Sequence, residues 1–232
     1  MLFVILSILS VVGMYSQTFD TTAEPSAADS AAYVPREREP DTTALYQGIN
    51  LKLDIGGTAL EAAVTQGRML SFEMAMNVNL KNRYLPTLEL GYAGGRGFAD
   101  GGTHYGQGGF AKVGLDLSAL KKSGKWNMLL VGLRLGTAVQ GYQLNDVLVV
   151  DPFWQDVSVK QVPWSVGADV WGEVVVGVQV QIYKRFHMGW YARFKMLFTK
   201  QENGKFSPYY IPGYGYRQET NFGFNYYLGF AI

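Results

Sequence analysis

The residue types that most often carry chemistry are scarce in this chain of 232 residues. It has no cysteine, and therefore no thiolate nucleophile, disulfide or cysteine-ligated metal. Its two histidines are far apart: His104 lies in the stretch GGTHYGQGG, and His187 lies beside a predicted short turn. Thr103 and Tyr105 flank His104, but no serine nucleophile stands near it, and a base must reach its nucleophile through a hydrogen bond. We therefore expect no catalytic dyad and no metal, and interpret the stretch around His104 as a flexible loop.

Two further kinds of function are excluded by composition and spacing. The stretch GGRGFADGG has the wrong glycine spacing for a dinucleotide site, and no predicted helix follows it. The 20 basic and 19 acidic residues leave a formal net charge of +1, without the basic excess of nucleic-acid-binding proteins. We therefore expect no cofactor and no nucleic-acid partner.

The first 44 residues differ in composition from the rest. The apolar run MLFVILSILSVVG is shorter than the roughly 20 residues that span a bilayer. With the small Ser16 before the cleavage point, it predicts a signal peptide over residues 1–17. An N-terminal core strand or membrane anchor is the alternative. Residues 18–44 have no apolar period and many Pro, Ala, Ser, Thr and Asp residues, which predicts a disordered periplasmic linker.

From residue 45 onward, apolar and polar residues alternate with a period of two, as in β-strands. Eight such segments cover residues 46–56, 69–80, 84–93, 110–118, 126–138, 164–182, 187–198 and 221–232. Short connections (81–83, 119–125, 183–186) alternate with long ones (57–68, 94–109, 139–163, 199–218). An even number of strands, with short turns at one end and long loops at the other, is typical of outer-membrane barrels.

The polarity of the two strand faces distinguishes a membrane barrel from a lipocalin-like barrel or sandwich. The apolar faces are continuous and carry large side chains, which the interior of a small soluble barrel has no room to hold. The opposite faces carry charges and many glycines, which suit a narrow interior. We therefore predict an all-β fold for residues 45–232: an eight-stranded antiparallel transmembrane up-and-down β-barrel. It would be integral to the bacterial outer membrane, with extracellular long loops and with the short turns and both termini in the periplasm.

The charged residues predicted to point inward nearly balance one another. Isolated charges in a narrow interior would be costly, so we expect them to pair and to fill the lumen. This predicted lumen network consists of Lys52, Asp54, Glu73, Glu89, Lys112, Asp116, Arg134, Asp169, Glu173, Arg193 and Lys195. A selective channel would need a continuous wet lumen instead.

Two kinds of surface are candidates for contacts with other molecules. The short turns carry basic residues and no acidic ones, which suits lipid phosphates or an acidic periplasmic partner. The long connections contain the apolar stretches LNDVLVVDPFW and FSPYYIPGYGY, and exposed apolar patches often mark a partner surface. The predicted anchors are Phe153, Trp154, Tyr209 and Tyr210. Alternatively, these connections cap the barrel, or the first extends the fifth and sixth strands.

The last segment, NFGFNYYLGFAI, carries a resemblance to a known signal. Asn225, Phe230 and Ile232 resemble the C-terminal assembly signal of bacterial outer-membrane proteins, although Tyr227 stands where that signal has glycine. The usual terminal phenylalanine is replaced by Ile232. This resemblance implies recognition by the barrel-assembly machinery.

The chain as a whole resembles the small eight-stranded outer-membrane barrels of Bacteroidota, which share the architecture of OmpA and OmpX. We expect a non-enzymatic barrel, embedded in outer-membrane lipid, that is a structural or accessory subunit of a larger complex with protein partners. A barrel-assembly or surface-export machine is an example of such a complex. A lipid-modifying enzyme and a narrow solute or ion channel are the alternatives.

Overall fold

The computed structural model describes residues 44–99, 102–120, 126–150, 153, 157–199 and 207–232. Within these ranges the chain is almost entirely β-structure, with one short helix. The predicted signal peptide lies outside the described residues, as does all of the predicted linker except Ala44. In the part of the chain that is described, no helix is both long enough and apolar enough to span a membrane.

Eight strands build the main sheet, and a helix and a small hairpin lie in two of the connections. The strands are β1 (Tyr46–Asp54), β2 (Met69–Leu80), β3 (Tyr84–Ala99), β4 (Gly102–Ser118), β5 (Met128–Val150), β6 (Val157–Tyr183), β7 (Phe186–Leu197) and β10 (Thr220–Ala231). Helix α1 (Gly56–Val64) follows β1, and β8 (Tyr210–Ile211) pairs with β9 (Gly215–Tyr216) to form the hairpin.

The main sheet closes on itself. Each strand pairs antiparallel with its neighbour from β1 to β7, β7 pairs with β10, and β10 pairs back with β1. At the closing seam, Leu51 lies opposite Phe230 and Leu53 opposite Leu228. An all-β fold with eight antiparallel strands in a ring is therefore confirmed, and the predicted pairing of the last strand with the first leaves β10 with a partner on both sides.

Side chains alternate between the inside and the outside of the ring because successive residues of a strand point to opposite faces. In β5, Leu133 and Leu135 are 66% and 52% exposed, whereas Arg134 between them is 4% exposed. In β10, Phe222 and Phe224 are exposed and Tyr227 is buried. The outer surface of the ring is therefore apolar and its interior is polar.

Where the structure describes them, two of the predicted long loops are in fact strands. Residues 94–99 and 102–109 form the outer halves of β3 and β4, with Gly97 opposite His104. Residues 139–150 and 157–163 belong to β5 and β6, which stay paired as far as Val150 and Val157. The prediction of a flexible loop around His104 was therefore wrong. Glycine has no side chain, so a glycine-rich segment shows no alternation even when its backbone is fully paired.

Helix α1 takes the place of the outer half of β1. The pairing of β1 with β10 ends near Ile55, whose amide donates to the carbonyl oxygen of Tyr226 at 2.9 Å. The chain then turns into α1, where the amide of Gly57 donates to Asp54 Oδ1 at 3.0 Å and the Thr58 hydroxyl donates to the Asp54 carbonyl at 3.2 Å. The helix packs against β2 and β10, so it fills the part of the barrel wall beyond the end of β1.

Candidate functional site

The interior of the ring holds all the residues of the predicted lumen network. Each of these eleven side chains belongs to a residue that is at most 9% exposed. They come from seven strands, whose alternation turns every one of them inward. Their pairing shows how a narrow interior accommodates so many charges.

Two cations share the same three carboxylates near the middle of the ring. The guanidinium of Arg193 lies 2.7 Å from Glu89, 2.9 Å from Glu73 and 3.1 Å from Glu173. The ammonium of Lys112 lies 2.8 Å from Glu73, 3.5 Å from Glu173 and 3.6 Å from Glu89. Charge-assisted hydrogen bonds of this kind are roughly twice as strong as neutral ones. The cluster therefore ties β2, β3, β4, β6 and β7 together across the lumen.

Arg134 extends this cluster to a further carboxylate, that of Asp116. It forms ion pairs with Glu89 and, at 2.8 Å, with Asp116. Lys52 donates to the hydroxyl of Tyr191 at 2.8 Å, and that hydroxyl donates to Asp116 at 3.1 Å. Tyr191 therefore links Lys52 to the ion pairs. Tyr191 was not among the residues predicted for the lumen network.

The other three network residues find partners in the connections and in β10. Lys195 donates to the carbonyl oxygens of Gly213 at 2.8 Å and Tyr214 at 3.1 Å, both in the hairpin. The side-chain amide of Asn225 in β10 donates a hydrogen bond to the Asp54 carboxylate.

The guanidinium of Arg217 lies 2.9 Å from Asp169. Arg217 was missed because it lies in a predicted extracellular loop, where no strand periodicity assigns a direction. With Arg217, the six acidic network residues face six basic ones. The described interior therefore carries no net formal charge.

Apolar side chains pack together on both sides of the ionic layer. Towards the short turns the layer consists of Leu85, Met128, Leu130, Val175, Tyr191 and Tyr227. Towards the long connections, Ile211 and Tyr214 of the hairpin are buried against Phe110 and Trp171. Beside the ionic layer, the cavity bordered by Lys52 and Arg193 measures about 10 Å³, roughly the space of one water molecule.

The residues of the predicted partner surface differ in how exposed they are. Phe153 is 80% exposed, and Tyr209 is also exposed. Trp154 lies outside the described residues. Tyr210 is partly buried, and its hydroxyl donates to the Glu61 carboxylate of α1. Burial raises the pKa of Tyr210 well above its usual value, and the nearby Glu61 carboxylate adds to this shift. Tyr210 therefore holds the hairpin to α1.

The residues that resemble an assembly signal lie on both faces of β10. Asn225 points inward to Asp54, as the alternation requires. Phe230 and Ile232 point outward and are exposed.

The two histidines lie at opposite ends of the barrel. His104 is buried near the outer end of β4, and His187 is buried at the short-turn end of β7. The ring of His187 stacks on Trp126 with centroids 5.9 Å apart. Among the described residues there is also no cluster of His, Asp or Glu side chains suited to a metal ion.

A comparison with known protein families identifies the family of this chain. The model of the DUF6048 family, described as a domain of unknown function, matches residues 1–232. No curated protein matches the chain, and no solved structure matches it.

Proposed function

We propose that this chain, which belongs to the DUF6048 family, is an integral β-barrel of the bacterial outer membrane with a filled lumen. It would act without catalysis, as a structural or accessory subunit of a larger outer-membrane complex. The short turns would face the periplasm, and the long connections would face the outside of the cell.

The observation that carries the membrane placement is the exposed apolar band. Each of the eight strands contributes large apolar side chains to the outer surface, including Leu53, Met74, Leu90, Val113, Leu133, Val174, Trp190 and Phe224. Contiguous apolar patches on soluble monomers rarely exceed a few hundred Å². An apolar outer surface around a polar interior is the arrangement of transmembrane β-barrels.

Exposed aromatic residues at both ends of the strands support the same placement. Tyr84 and Tyr183 lie where strands meet the short turns, and both are exposed. Tyr105 and Trp164 are exposed towards the long connections. Aromatic girdles at the two lipid–water interfaces flank the apolar band of outer-membrane barrels.

The filled interior favours a role carried by the surfaces of the barrel. A channel needs a continuous wet path, but the ionic layer and the two apolar layers occupy the cross-section. A lipid-modifying enzyme needs a base beside a nucleophile, and neither histidine is near a serine in the sequence. The function would then depend on the exposed loops, the periplasmic turns or the lipid-facing wall.

One substitution tests whether the protein is a membrane barrel or a soluble one. Leu133→Arg places a charge on the outward face of β5, within the apolar band, where an arginine costs up to about 2–4 kcal/mol in a bilayer. The matched control is Gln161→Arg, at an exposed position in the outer part of β6. Folding into lipid vesicles is measured by the mobility difference between unboiled and boiled protein in a denaturing gel.

We expect Leu133→Arg to reduce the folded fraction in vesicles and Gln161→Arg to leave it nearly unchanged. The native protein should also fractionate with outer membranes and resist alkaline extraction. A Leu133→Arg variant that is more soluble in water and folds there would contradict the proposal, because a soluble barrel gains from a charge on that face.

A further inference from the structure

The outer part of β10 has a strand on one side only. Its pairing with β7 continues as far as Thr220, which lies opposite Met196. On the other side, the last hydrogen bond is the one from the Ile55 amide to the Tyr226 carbonyl. Beyond that bond, α1 lies beside β10 in place of a strand. Among the residues that the structure describes, residues 220–225 therefore form a sheet edge within an otherwise closed ring.

The main-chain groups of Phe222 and Phe224 point to this edge. Successive residues of a paired strand direct their amide and carbonyl groups to opposite neighbours. Tyr226 bonds on the β1 side, whereas Glu219 bonds on the β7 side, where its carbonyl accepts from the Leu197 amide. By this alternation, Phe222 and Phe224 face α1. Within the described part of the chain, their amides and carbonyls have no hydrogen-bond partner on that side.

Helix α1 bonds to the neighbouring edge of β2 but not to that of β10. On the β2 side, the Met69 amide donates to the Thr65 hydroxyl at the end of the helix, at 3.1 Å. On the β10 side lies a cavity of about 360 Å³, which is lined by Gly57 and Glu61 of α1 and by residues 221–225. The main-chain groups inside a helix bond to one another, so α1 cannot extend the ladder of β10.

The unpaired edge lies in the apolar band of the outer surface. Phe222 is 83% exposed, and its ring lies 5.1 Å from that of Phe194 in β7. The exposed ring of Phe224 lies 6.0 Å from that of Trp190. Main-chain groups without partners are costly in lipid, and open sheet edges do not occur within the hydrocarbon region. An additional strand at this edge would remove that cost.

We infer that the outer part of β10 pairs with an extended segment of a partner protein, which adds a strand beside α1. This strand would continue the existing pairing of β1 with β10. Its main chain would bond to the amides and carbonyls of Phe222 and Phe224. Addition of a strand to an exposed sheet edge is a recurrent mode of protein recognition. The inference deepens the proposed role in a larger complex and rests on it.

The surroundings of the edge define the side chains of the added segment. Residues opposite Phe222 and Phe224 would point outward beside the aromatic rings, so apolar side chains suit them. The residue opposite Gly223 would point into the cavity, where Asn221 and Asn225 supply polar groups. A small polar side chain suits that position. The partner segment therefore alternates apolar residues with small polar ones.

The test measures binding of a short fluorescent peptide of alternating valine and threonine to the folded barrel in detergent, by fluorescence anisotropy. In the paired arrangement, the valines point outward and their amides face β10. One control peptide is therefore methylated on the valine amides, which removes the donors to β10. The other is methylated on the threonine amides, which face away from β10. Heat modifiability in a gel shows for each protein that the barrel is folded.

A proline at position 222 tests the edge itself. Proline is tolerated in a strand where its nitrogen faces no neighbouring strand. Phe222→Pro should therefore keep the folded gel band and weaken peptide binding about fivefold or more, as loss of a hydrogen bond does. Phe222→Ala is the control for the lost ring and should bind more tightly than Phe222→Pro. Gly223→Pro is the opposite control: its amide faces β7, so it should lower the temperature at which the folded band disappears.

We expect the native barrel to bind the unmodified and the threonine-methylated peptides and not the valine-methylated one. Failure of the folded native protein to bind the first two would reject the docking site. Equal affinity for the two methylated peptides would show attachment through side chains and reject strand pairing.

Two results with the proline variants would also overturn the inference. If Phe222→Pro is as unstable as Gly223→Pro, the edge is already paired in the native protein. If the native protein is a dimer in detergent and Phe222→Pro is a monomer, the edge binds a second copy of the chain instead of a partner. These measurements are made in detergent, so their failure leaves the Leu133→Arg test of the membrane placement unaffected.

Discussion

Ile232 and Ile49 are joined by two backbone hydrogen bonds that close the ring. The amide of Ile232 donates to the carbonyl oxygen of Ile49 at 2.8 Å, and the amide of Ile49 donates to Ile232 at 3.2 Å. On the other side of β10, the amide of Ala231 donates to the Arg185 carbonyl at 2.8 Å. The end of the chain is therefore fixed from both sides, so this part of the final strand presents no free edge to another chain.

The first prediction concerns Gly48, which lies beside this seam. Gly48 has a φ of +122°, and a Cβ atom there would lie 2.7 Å from the carbonyl oxygen of Ile232. Gly48→Ala should therefore destabilise the barrel by about 1–3 kcal/mol, the usual cost of a disallowed backbone conformation. Gly97→Ala is the control because a Cβ atom there meets nothing within 4 Å. The measurement is the temperature at which the folded gel band disappears, and an equal temperature for the two variants would refute the role of Gly48.

The second prediction concerns Arg193, which contacts three buried carboxylates. Arg193→Met leaves those carboxylates without one of their cations, so it should destabilise the barrel by about 3–5 kcal/mol. Adding Glu89→Gln should restore part of the loss, because it rebalances the interior charge. Urea unfolding in lipid vesicles measures the effect, and Arg83→Met at the exposed rim should change stability by no more than about 0.5 kcal/mol. A stable Arg193→Met variant would show that the lumen network is not needed for folding.

The strand pattern was predictable because one physical rule governs it. Wherever one face of a strand lies on an apolar outer surface and the other faces a polar interior, the sequence must alternate, as it does at Leu133, Arg134 and Leu135. The outer parts of β3 and β4 were not predictable in this way. Their glycines contribute backbone hydrogen bonds to the ladder but no side chain that reports a direction.

The inward direction of the charged residues followed from the same alternation, but their partners did not. Asp169 could be assigned to the interior from its place in β6. Its contact with Arg217 depends on how the connection between β7 and β10 folds back into the ring. The apolar residues of that connection were a usable signal, since Ile211 and Tyr214 become part of the packed interior. No comparable feature of the sequence predicts that helix α1 lies in the barrel wall. Its position depends on where β1 ends.

The third prediction concerns pH and the contact between Tyr210 and Glu61. The folded pKa of Tyr210 lies well above its usual value, whereas the unfolded value is about 10. The stabilisation from this contact should therefore be complete below about pH 10 and should be lost as the pH rises through the folded pKa. The difference in tyrosinate absorbance between native protein and Tyr210→Phe measures the titration. Ionisation of Tyr210 at the same pH as exposed tyrosines would contradict the contact.

The fourth prediction is that the lumen does not conduct. Planar bilayers containing the purified protein should show no steady large current, because the ion pairs of Arg193, Lys112 and Arg134 link strands across the lumen, and the cavity between Lys52 and Arg193 measures about 10 Å³. Replacing residues 209–217 by a flexible linker should not open a path, since that layer lies deeper than the hairpin. Reproducible ion-selective currents that Arg134→Ala abolishes would favour a channel instead.

The last prediction separates the exposed aromatic residues from the one that holds the hairpin. Phe153 and Tyr209 are exposed, whereas Tyr210 donates a hydrogen bond to Glu61. If the long connections bind a partner, Phe153→Ser with Tyr209→Ser should leave the folded gel band intact and remove co-purifying proteins under mild detergent. Large aromatic side chains are the expected anchors, each worth about 2 kcal/mol or more when truncated at an interface.

Tyr210→Ser is the matched variant, and we expect the opposite result for it: lower stability with retained partner proteins. It should lower the temperature at which the folded band disappears, because the hairpin loses its bond to α1. The barrel that remains folded should still bring down the same proteins, since the exposed aromatic residues are unchanged. If the double variant retains the co-purifying proteins, the long connections are not the partner surface. The basic short turns, represented by Lys81, Arg83 and Lys184, would then be the surface to test, because an acidic periplasmic partner would complement their charge.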